Sequence, residues 1–434
     1  MKTTLRVLVI AHNTFAASTN MGKTLLSYFD MWEGDHVGEL YFHAEIPTCR
    51  QFSHYFRVTD SDVLKSILFR NSCGKVFQPQ EVEPDRITPR ADGGILKKVY
   101  NRGRRRTPMT YILRNLVWTL GAWESPDMNA WIEEFAPDVI FFASGDYSFA
   151  YRVALRLSKK RNIPLVVCCV DDYYLHNRNA SSLLGCWQHK RFMKVVGETM
   201  ERASCIMTIN DKMSREYTAL FGKKCYTLYT GTEQKIPPLP DEEKEGISYL
   251  GNLSFDRNHQ LVDVGRALKR LSTPEKSLWL DVYSGEKDPE ILKVLTPENG
   301  IRFHGAVSAE RVSEIIAKSL AIIHTEAFDE ENKQRVMYST STKIAESLAS
   351  GTCLIAYGPA EVASMEYLIE NDAAVVITAP EQLEEKLRSV LADAGLRKGV
   401  TANALKLAEK NHRLELVSQT VRTAVEEACG KGKV

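Results

Sequence analysis

The sequence lacks the features that mark several classes of protein. It has no apolar run of about 18 residues, which a membrane-spanning helix requires, and Met1-Lys2 lead directly into an apolar stretch instead of a signal peptide. Its nine cysteines include no C-x-x-C pair, so neither a zinc site nor a disulfide framework is predicted. The net charge of +1 argues against a dedicated nucleic-acid-binding protein. We therefore expect a cytoplasmic protein without a nucleic-acid partner.

Length and the order of the apolar segments predict two α/β domains. At 434 residues the chain is too long for one small core and suits two domains of roughly 200 residues each. Apolar runs of strand length, such as Leu5–Ala11, Asp138–Ala143 and Leu165–Val170, alternate with helical segments. This order predicts a parallel sheet whose ligands bind beyond the carboxyl ends of its strands. Ile236–Pro240 (IPPLP), followed by an acidic run, is predicted to be the interdomain linker.

The segment Tyr338–Pro359, YSTSTKIAESLASGTCLIAYGP, carries the most information. Hydroxyl residues that favour a helix N-cap come first, a short helix follows, and Gly351 ends it before the apolar strand Cys353–Tyr357. A helix start leaves N–H groups without partners and carries partial positive charge, so it can bind a phosphate beside Lys343. Glu346, one turn further along, could accept hydrogen bonds from ribose hydroxyls. A capped helix that only feeds a buried strand would show the same residues.

This order of parts resembles the donor-nucleotide segment of GT-B glycosyltransferases, in particular the retaining GT4-like family. Glu346 matches the second Glu of that family's E-x7-E element, and Ala349-Ser350-Gly351 match the A-x-G that follows it. Tyr338 stands where the first Glu is usual. A loop insertion would then give its role to an acidic residue further upstream, and the candidates are Glu326, Asp329, Glu330 and Glu331.

The resemblance implies an α/β GT-B fold. Two Rossmann-like domains would face each other across a deep cleft, and a C-terminal helix would cross back. The expected boundaries are 1–236 for the N-terminal acceptor-side domain, 241–410 for the C-terminal nucleotide-sugar-binding domain and 411–434 for a helix that packs on the N-terminal domain.

The resemblance also implies site residues. The family's G-R-x5-K-G loop grips the donor diphosphate with two cations; here Gly251 matches, Asn252 and Asn258 replace the cations, and Arg257 supplies a cation nearby. In the first domain two Asp residues follow strands at places where the family carries a His or an acidic residue, and each could instead be a helix N-cap. The expected catalytic residues are Asp146, Asp172 and Glu326, and the expected donor-binding residues are Gly22, Lys23, Gly251, Arg257, Ser341, Thr342, Lys343 and Glu346.

A P-loop NTPase is the rival interpretation. Ala17–Thr24 (ASTNMGKT) fits a loose Walker A pattern, and Val166–Asp171 (VVCCVD) could pass for a Walker B strand. Three observations argue against it. The loop is nearly free of glycine, although a phosphate cradle needs close backbone approach; the gap after the strand is several residues too long; and the second half of the chain would be unexplained.

The resemblance implies transfer of a sugar from a nucleotide-diphosphate sugar to the hydroxyl of a saccharide or lipid-linked acceptor, in surface polysaccharide or glycolipid synthesis. Retention of the anomeric configuration is implied by the family. We expect no cofactor and no metal, because the sequence shows no Asp-x-Asp motif between apolar strand residues. A degenerate GT-B protein that binds without turnover is the alternative. The basic cluster Lys97–Arg106 could contact anionic lipid headgroups and associate the protein with a membrane, or be an ordinary solvated loop.

Overall fold

The structure, a computed structural model, describes residues 5–16, 20–69, 72–78, 107–175, 182–233, 236–237 and 239–430. The chain divides into two compact units. The first contains residues 1–209, 213–228 and 417–434, and the second contains residues 210–212 and 229–416. The chain thus enters the second unit at Tyr229, before the IPPLP segment, and returns to the first at Val417. The basic cluster Lys97–Arg106 lies outside the described residues, as does Ala17–Thr19 of the Walker-like stretch.

The first unit is built on an eight-stranded sheet of order β4-β3-β2-β1-β5-β6-β7-β8. Every pair is parallel except β3 with β4. The strands are β1 (Val7–Ala11), β2 (Val37–Tyr41), β3 (His54–Arg57), β4 (Lys75–Phe77), β5 (Val139–Ser144), β6 (Leu165–Cys169), β7 (Cys205–Thr208) and β8 (Cys225–Thr227). The central strands are buried throughout, which explains why they form continuous apolar runs in the sequence.

Helices cover both faces of this sheet. They are α1 (Asn20–Tyr28), α2 (Asp60–Phe69), α3 (Pro108–Leu120), α4 (Pro126–Phe135), α5 (Ser148–Arg161), α6 (Leu183–Arg202) and α7 (Asp211–Phe221), together with the last helix of the chain, α16 (Leu414–Ala428). Val421, Ala424 and Val425 of α16 are fully buried in one core with Val7 and Val9 of β1. The last helix therefore belongs to the hydrophobic core of the first unit.

The second unit is built on a six-stranded parallel sheet of order β11-β10-β9-β12-β13-β14. Its strands are β9 (Glu245–Leu250), β10 (Leu280–Tyr283), β11 (Ile301–Gly305), β12 (Ser319–Thr325), β13 (Cys353–Tyr357) and β14 (Val375–Ile377). Counted from β9, this is the strand order 3-2-1-4-5-6 of the Rossmann fold. The predicted alternation of strands and helices is confirmed in both units.

The helices of the second unit also lie on both faces of its sheet. They are α8 (Arg257–Leu271), α9 (Pro289–Leu292), α10 (Ala309–Lys318), α11 (Glu330–Val336), α12 (Thr342–Ala349), α13 (Ala363–Glu370), α14 (Leu383–Ala392) and α15 (Ala394–Asn411). One core joins α8 and α14 to one face, and a second core joins α12, α13 and α15 to the other. The predicted helix-Gly351-strand order is confirmed, since α12 precedes Gly351 and β13. Among the described residues, no helix combines the length and apolar character needed to cross a bilayer.

Candidate active site

The sheet order of the second unit locates its expected ligand site. The order reverses between β9 and β12, which lie side by side. Loops that leave the carboxyl ends of two such strands diverge and open a crevice, where ligands of Rossmann-type sheets bind. The loop after β9 runs from Gly251 to the start of α8, and Glu326 directly follows β12. Sequence and topology therefore point to the same edge of the sheet.

Arg257 and Glu326 form a bidentate ion pair at this edge. The Nη2 group of Arg257 donates to both carboxylate oxygens of Glu326, at 2.9 and 2.8 Å, and its Nε donates at 3.1 Å. Nε also lies 3.2 Å from the carbonyl oxygen of Thr325, and Nη1 donates to Oδ1 of Asn252 at 2.6 Å. Two predicted site residues 69 positions apart are thus in direct contact. The contacts fix the plane of the guanidinium, and Nη1, with two hydrogens, gives one of them to Asn252.

Burial sets the electrostatics of this pair. The side chains of Arg257 and Glu326 are only 11% and 3% exposed. Burial raises the pKa of Glu326, and the guanidinium beside it opposes that shift. Breaking such a buried pair by removing one partner costs about 3 to 5 kcal/mol, because the remaining charge is left without compensation. Glu326 is therefore placed to hold Arg257 in a fixed position.

His324 lies under the pair and stays neutral. Its Nε2 is 3.6 Å from Oε1 of Glu326 and 3.1 Å from Oγ of Ser364. Burial, with the positive charge of Arg257, lowers the pKa of His324 to about 3. An imidazole with this pKa does not carry positive charge at neutral pH, so it adds no cation to the site.

The loop from β9 to α8 has an unusual backbone. Phe255 and Asp256 adopt positive φ angles of 61° and 55°, a region that non-glycine residues occupy at a cost. The amide of Asn332 on α11 donates to the carboxylates of Asp256 and Asp329, at 2.9 and 3.0 Å. This contact ties the loop that carries Arg257 to the helix after Glu326. The loops from β9 and β12 are thereby held together by two separate sets of bonds.

Gly251 is needed for space at the start of the same loop. A Cβ atom there would lie 2.9 Å from the hydroxyl oxygen of Tyr249, which donates to the carbonyl oxygen of Asn252. The N–H of Gly251 donates to the carbonyl oxygen of Tyr283 at 3.2 Å. Any larger residue would displace the Tyr249 hydroxyl and, with it, the turn that presents Asn252 to Arg257.

The amino-terminal end of α12 is the second part of the site. Ser341 is its N-cap and accepts a hydrogen bond from the N–H of Lys343 at 3.4 Å, and Thr342 is its first residue. The amide of Asn210 donates to the carbonyl oxygen of Tyr338 and to Oγ1 of Thr340, at 2.7 and 3.0 Å. The chain entering the helix is thus fixed, and the helix start keeps the partial positive charge that favours anions.

Lys343 and Glu346 pair with each other on α12. The ammonium nitrogen lies 2.7 Å from Oε2 of Glu346, and the two side chains are 41% and 42% exposed. Glu346 also lines a small cavity with Thr232 and Ser313. Exposed pairs of this kind contribute about 0 to 1 kcal/mol, so a ligand can separate them at little cost. The two predicted donor-binding side chains are therefore adjacent, and the ion pair between them is easily separated.

The first unit has a corresponding edge, where its strand order reverses between β1 and β5. Asp146 follows β5, is partly exposed, and accepts a hydrogen bond from the hydroxyl of Tyr111 at 2.5 Å. The ring of the neighbouring Tyr147 lies 4.8 Å from that of His12, which follows β1, and the guanidinium of Arg114 lies 4.0 Å from the Tyr147 ring. The residues from the two loops meet at this edge, as the topology predicts.

Asp172 has a different environment from Asp146. It is 2% exposed, and its Oδ1 accepts hydrogen bonds from the N–H groups of Tyr174 and Leu175, at 3.1 and 3.0 Å, and from the hydroxyl of Tyr217 at 3.1 Å. This carboxylate shapes the turn after β6, a role close to the capping alternative that the sequence leaves open.

Two buried carboxylates hold the loop after β1. Oε2 of Glu39 accepts from the hydroxyl of Thr14 at 2.6 Å and from the N–H of Phe15 at 3.2 Å. Burial raises the pKa of Glu39 to about 8. Burial also acts on Glu45, but hydrogen bonds from His43, from Asn13 and from the N–H of Thr14 hold its pKa below the ordinary value. The pKa values of these two neighbouring carboxyl groups are therefore shifted in opposite directions.

The loop after β1 leads into the Walker-like stretch. The N–H groups of Thr14 and Phe15, which precede that stretch, donate to the carboxylates of Glu45 and Glu39. Gly22 and Lys23 lie in the first turn of α1, with Gly22 buried and Lys23 exposed. They belong to the first unit, whereas the other predicted donor-binding residues belong to the second.

Several residues of the site carry no signal in the sequence. His324, Asn332, Glu39 and Glu45 each contact a residue at least 25 positions away along the chain. Asn252 accepts from Arg257, five positions away, and no motif marks this contact. The available signal was the position of polar residues directly after strands, which indicates Asp146 and Asp172 but not their partners. Within the described residues, no group of three or more His, Cys, Asp and Glu side chains is arranged to hold a metal ion.

Comparisons with known proteins agree with this architecture. A family described as Glycosyl transferase-like matches residues 271–422. No curated protein sequence matches the chain significantly. The structure of HepE from Anabaena in complex with UDP and glucose superposes with a TM-score of 0.60 at 14% identity, covering 97% of this chain and 99% of that one. Sucrose-phosphate synthase from Thermosynechococcus elongatus superposes with a TM-score of 0.59 at 12% identity, covering 98% of each chain.

A third solved structure with the same fold is that of WaaG, a glycosyltransferase involved in lipopolysaccharide biosynthesis. It superposes with a TM-score of 0.54 at 13% identity and covers 98% of this chain and 100% of that one. These identities are low, so the structural likeness shows the fold alone, and the sequence match to the family covers only residues 271–422. The resemblance to GT-B glycosyltransferases is confirmed: the chain has the GT-B fold, and its residues 271–422 match the glycosyl transferase-like family.

Proposed function

We propose that this protein transfers a sugar from a nucleoside-diphosphate sugar to an acceptor hydroxyl, with retention of the donor's anomeric configuration and without a metal ion or other cofactor. The observation that carries the proposal is the Arg257–Glu326 pair at the reversal of the second sheet, with the amino-terminal end of α12 supplied by the same unit. A guanidinium held by a buried carboxylate and an anion-favouring helix start are suited to a diphosphate.

In this proposal the donor separates the Lys343–Glu346 ion pair and leaves the Arg257–Glu326 pair intact. A phosphate binds Lys343 and the ribose hydroxyls bind Glu346, because separating this exposed pair costs little free energy. Arg257 stays on Glu326, since that pair is buried, and offers Nη1 to a phosphate oxygen. Glu326 is thus a positioning residue for Arg257, and we assign the role of the family's first Glu to no described residue.

Leaving-group stabilisation follows from the same groups. Negative charge grows on the diphosphate as the bond to the sugar breaks. In this proposal the positive charges of Arg257 and Lys343 and the N–H groups at the start of α12 stabilise that negative charge. Supplied by the protein, this stabilisation needs no metal ion. On the acceptor side we assign Asp146, which is partly exposed, in preference to Asp172, whose carboxylate is engaged by two backbone N–H groups.

The donor and the pathway are proposed from relatives. The HepE structures contain UDP, UDP with glucose, or UDP-glucose, so we propose a UDP-sugar as the first donor to test. WaaG acts in lipopolysaccharide biosynthesis, which supports a role in surface polysaccharide or glycolipid synthesis with a saccharide or lipid-linked acceptor. Such a role places the protein in the cytoplasm, where nucleotide sugars are made.

A thermal-shift screen tests donor binding. The purified protein is heated with UDP, GDP, ADP, ATP or a nucleotide sugar, each with EDTA or with magnesium. A ligand at 100 times its Kd stabilises the folded state by about 2.7 kcal/mol, so one nucleoside diphosphate should raise Tm in EDTA. Lys343→Ala and Glu346→Ala should each abolish the rise.

Arg311→Ala is the matched control, because Arg311 and Glu314 form a pair of the same i,i+3 spacing and similar exposure on α10. It should leave the rise unchanged. A rise with ATP or GTP only in magnesium, lost in Lys23→Ala, would contradict the proposal and favour a P-loop site. Loss of the rise in the Arg311 variant would show that the effect is not specific to α12.

A further inference from the structure

The face of α3 that points away from the sheet is apolar. Met109, Leu113, Leu116 and Leu120 are 51 to 65% exposed and follow one another at intervals of four, three and four residues, so they form one stripe along the helix. The opposite side of α3 is also apolar and is buried, since Trp118 stacks on Phe149 with 4.0 Å between ring centroids. A helix that only covers the sheet would expose polar residues where this stripe lies.

The neighbouring helix α6 extends the apolar surface and adds positive charge. α3 packs against both α6 and α2. On α6, Leu183 is 92% exposed and Trp187 is 47% exposed, and the same face continues with the exposed side chains of Lys190, Arg191 and Lys194. These residues lie four, seven, eight and eleven positions after Leu183, which keeps them on one side of the helix.

Only basic residues carry charge on α3 and on the first fifteen residues of α6. α3 contains no acidic residue, and the first acidic residue on α6 is Glu198. The guanidinium of Arg191 lies 4.9 Å from the centroid of the Trp187 ring, so the boundary between the apolar and basic parts consists of an indole and a guanidinium in contact. Tryptophan with flanking basic side chains is typical of protein segments at the headgroup level of a bilayer.

We propose that the exposed face of α3 and α6 binds the surface of a bilayer that contains anionic lipids, with the leucines and Trp187 in the acyl boundary and the three basic side chains at the phosphates. Charge complementarity selects this occupant, because a second copy of the chain would bring the same basic residues together. The surface includes none of Lys97–Arg106. Neither does it involve a nucleotide sugar, so its failure leaves the proposed sugar transfer untouched.

Vesicle flotation with the full chain is the test. Vesicles of phosphatidylcholine alone are compared with vesicles that contain about 30% phosphatidylglycerol, at low and high salt. The chain should float with the anionic vesicles at low salt, and high salt should release it in part. No flotation with anionic vesicles, or equal flotation with both compositions, would overturn the proposal.

Apolar variants test the stripe. Leu116→Gln with Leu120→Gln, and Leu183→Gln with Trp187→Gln, should each lower the partition coefficient at least tenfold. Leu220→Gln on α7, where Leu220 is 47% exposed, is the matched control and should bind like the wild type. All these side chains are exposed, so the variants should keep the circular dichroism and Tm of the wild type. Wild-type binding by both double variants would overturn the proposal.

Basic variants test the charge. The triple variant of Lys190, Arg191 and Lys194 to Gln should lower partition into anionic vesicles by on the order of 100-fold, about fivefold for each side chain. Its matched control replaces three exposed lysines of the second unit by Gln: Lys386, Lys398 and Lys406. Equal losses in both triple variants would show non-specific attraction and overturn the assignment. A dimer in light scattering that the Leu116 and Leu120 variant dissociates would replace the lipid by a second copy.

Discussion

Glu39 makes the folding stability depend on pH, and Glu39→Gln should remove that dependence. Burial raises the pKa of Glu39 from 4.5 to about 8 in the folded protein, and its Oε1 has no hydrogen-bond partner. In the unfolded chain a Glu ionises near about 4.3. Between these two values the folded protein holds one more proton than the unfolded chain, so stability is highest at low pH and falls as pH rises toward the folded pKa.

The magnitude follows from the linkage. Each pH unit in this window costs about 1.4 kcal/mol, which amounts to about 4 kcal/mol between about pH 5 and pH 8. Gln has the same shape and needs no proton to stay neutral. The free energy of unfolding of Glu39→Gln should therefore match the wild type near pH 5 and exceed it increasingly as the pH rises.

Urea denaturation followed by tryptophan fluorescence measures this difference across the pH window. Glu45→Gln is the matched control, because hydrogen bonds lower the pKa of Glu45 despite its burial. Its contribution is complete above the unfolded pKa and is lost only as pH falls, so its loss should be constant across the window. A constant difference for Glu39→Gln, or one that grows as pH falls, would refute the reasoning.

Three further predictions concern the second unit. Arg257→Ala and Glu326→Ala should each cost about 3 to 5 kcal/mol, and the double variant clearly less than their sum; additive losses in a double-mutant cycle would show that the pair is not coupled. Gly358→Ala should lower the free energy of unfolding by about 1 to 3 kcal/mol, because its Cβ would lie 3.1 Å from the carbonyl oxygen of Glu326. Gly285→Ala is the control: its Cβ would have its nearest neighbour at 3.9 Å, so the free energy of unfolding should change by less than about 0.5 kcal/mol. Equal effects of the two substitutions would contradict this prediction. The ring of His324 should show no NMR titration between about pH 5 and pH 8, and a midpoint near 6.5 would contradict its burial.

The sequence predicts elements better than partners. Continuous apolar runs identify β1, β5 and β6 because parallel strands are buried on both faces. The order hydroxyl, helix, glycine, strand identifies α12, Gly351 and β13 because capping and termination are local events.

Contacts between residues distant along the chain cannot be predicted from local sequence patterns. Arg257 meets Glu326 only because β9 lies beside β12, and strand order is a property of the whole sheet. The apolar stripe of α3 shows the same limit, since periodicity reveals two apolar faces but not which of them the sheet covers. The environment of Asp172 likewise depends on Tyr217, which lies on a later helix and donates a hydrogen bond to its carboxylate. Sequence patterns therefore fix the candidates, and topology decides which of them act together.

Turnover tests the central claim most directly. NMR of the protein with a UDP-sugar and an acceptor saccharide in EDTA would record loss of the donor and the anomeric configuration of the product. We predict a product with the donor's configuration, no requirement for metal, loss of turnover in Lys343→Ala and wild-type turnover in Arg311→Ala. Binding of nucleotide sugars without turnover of any donor would contradict the account and leave a GT-B protein that binds but does not transfer.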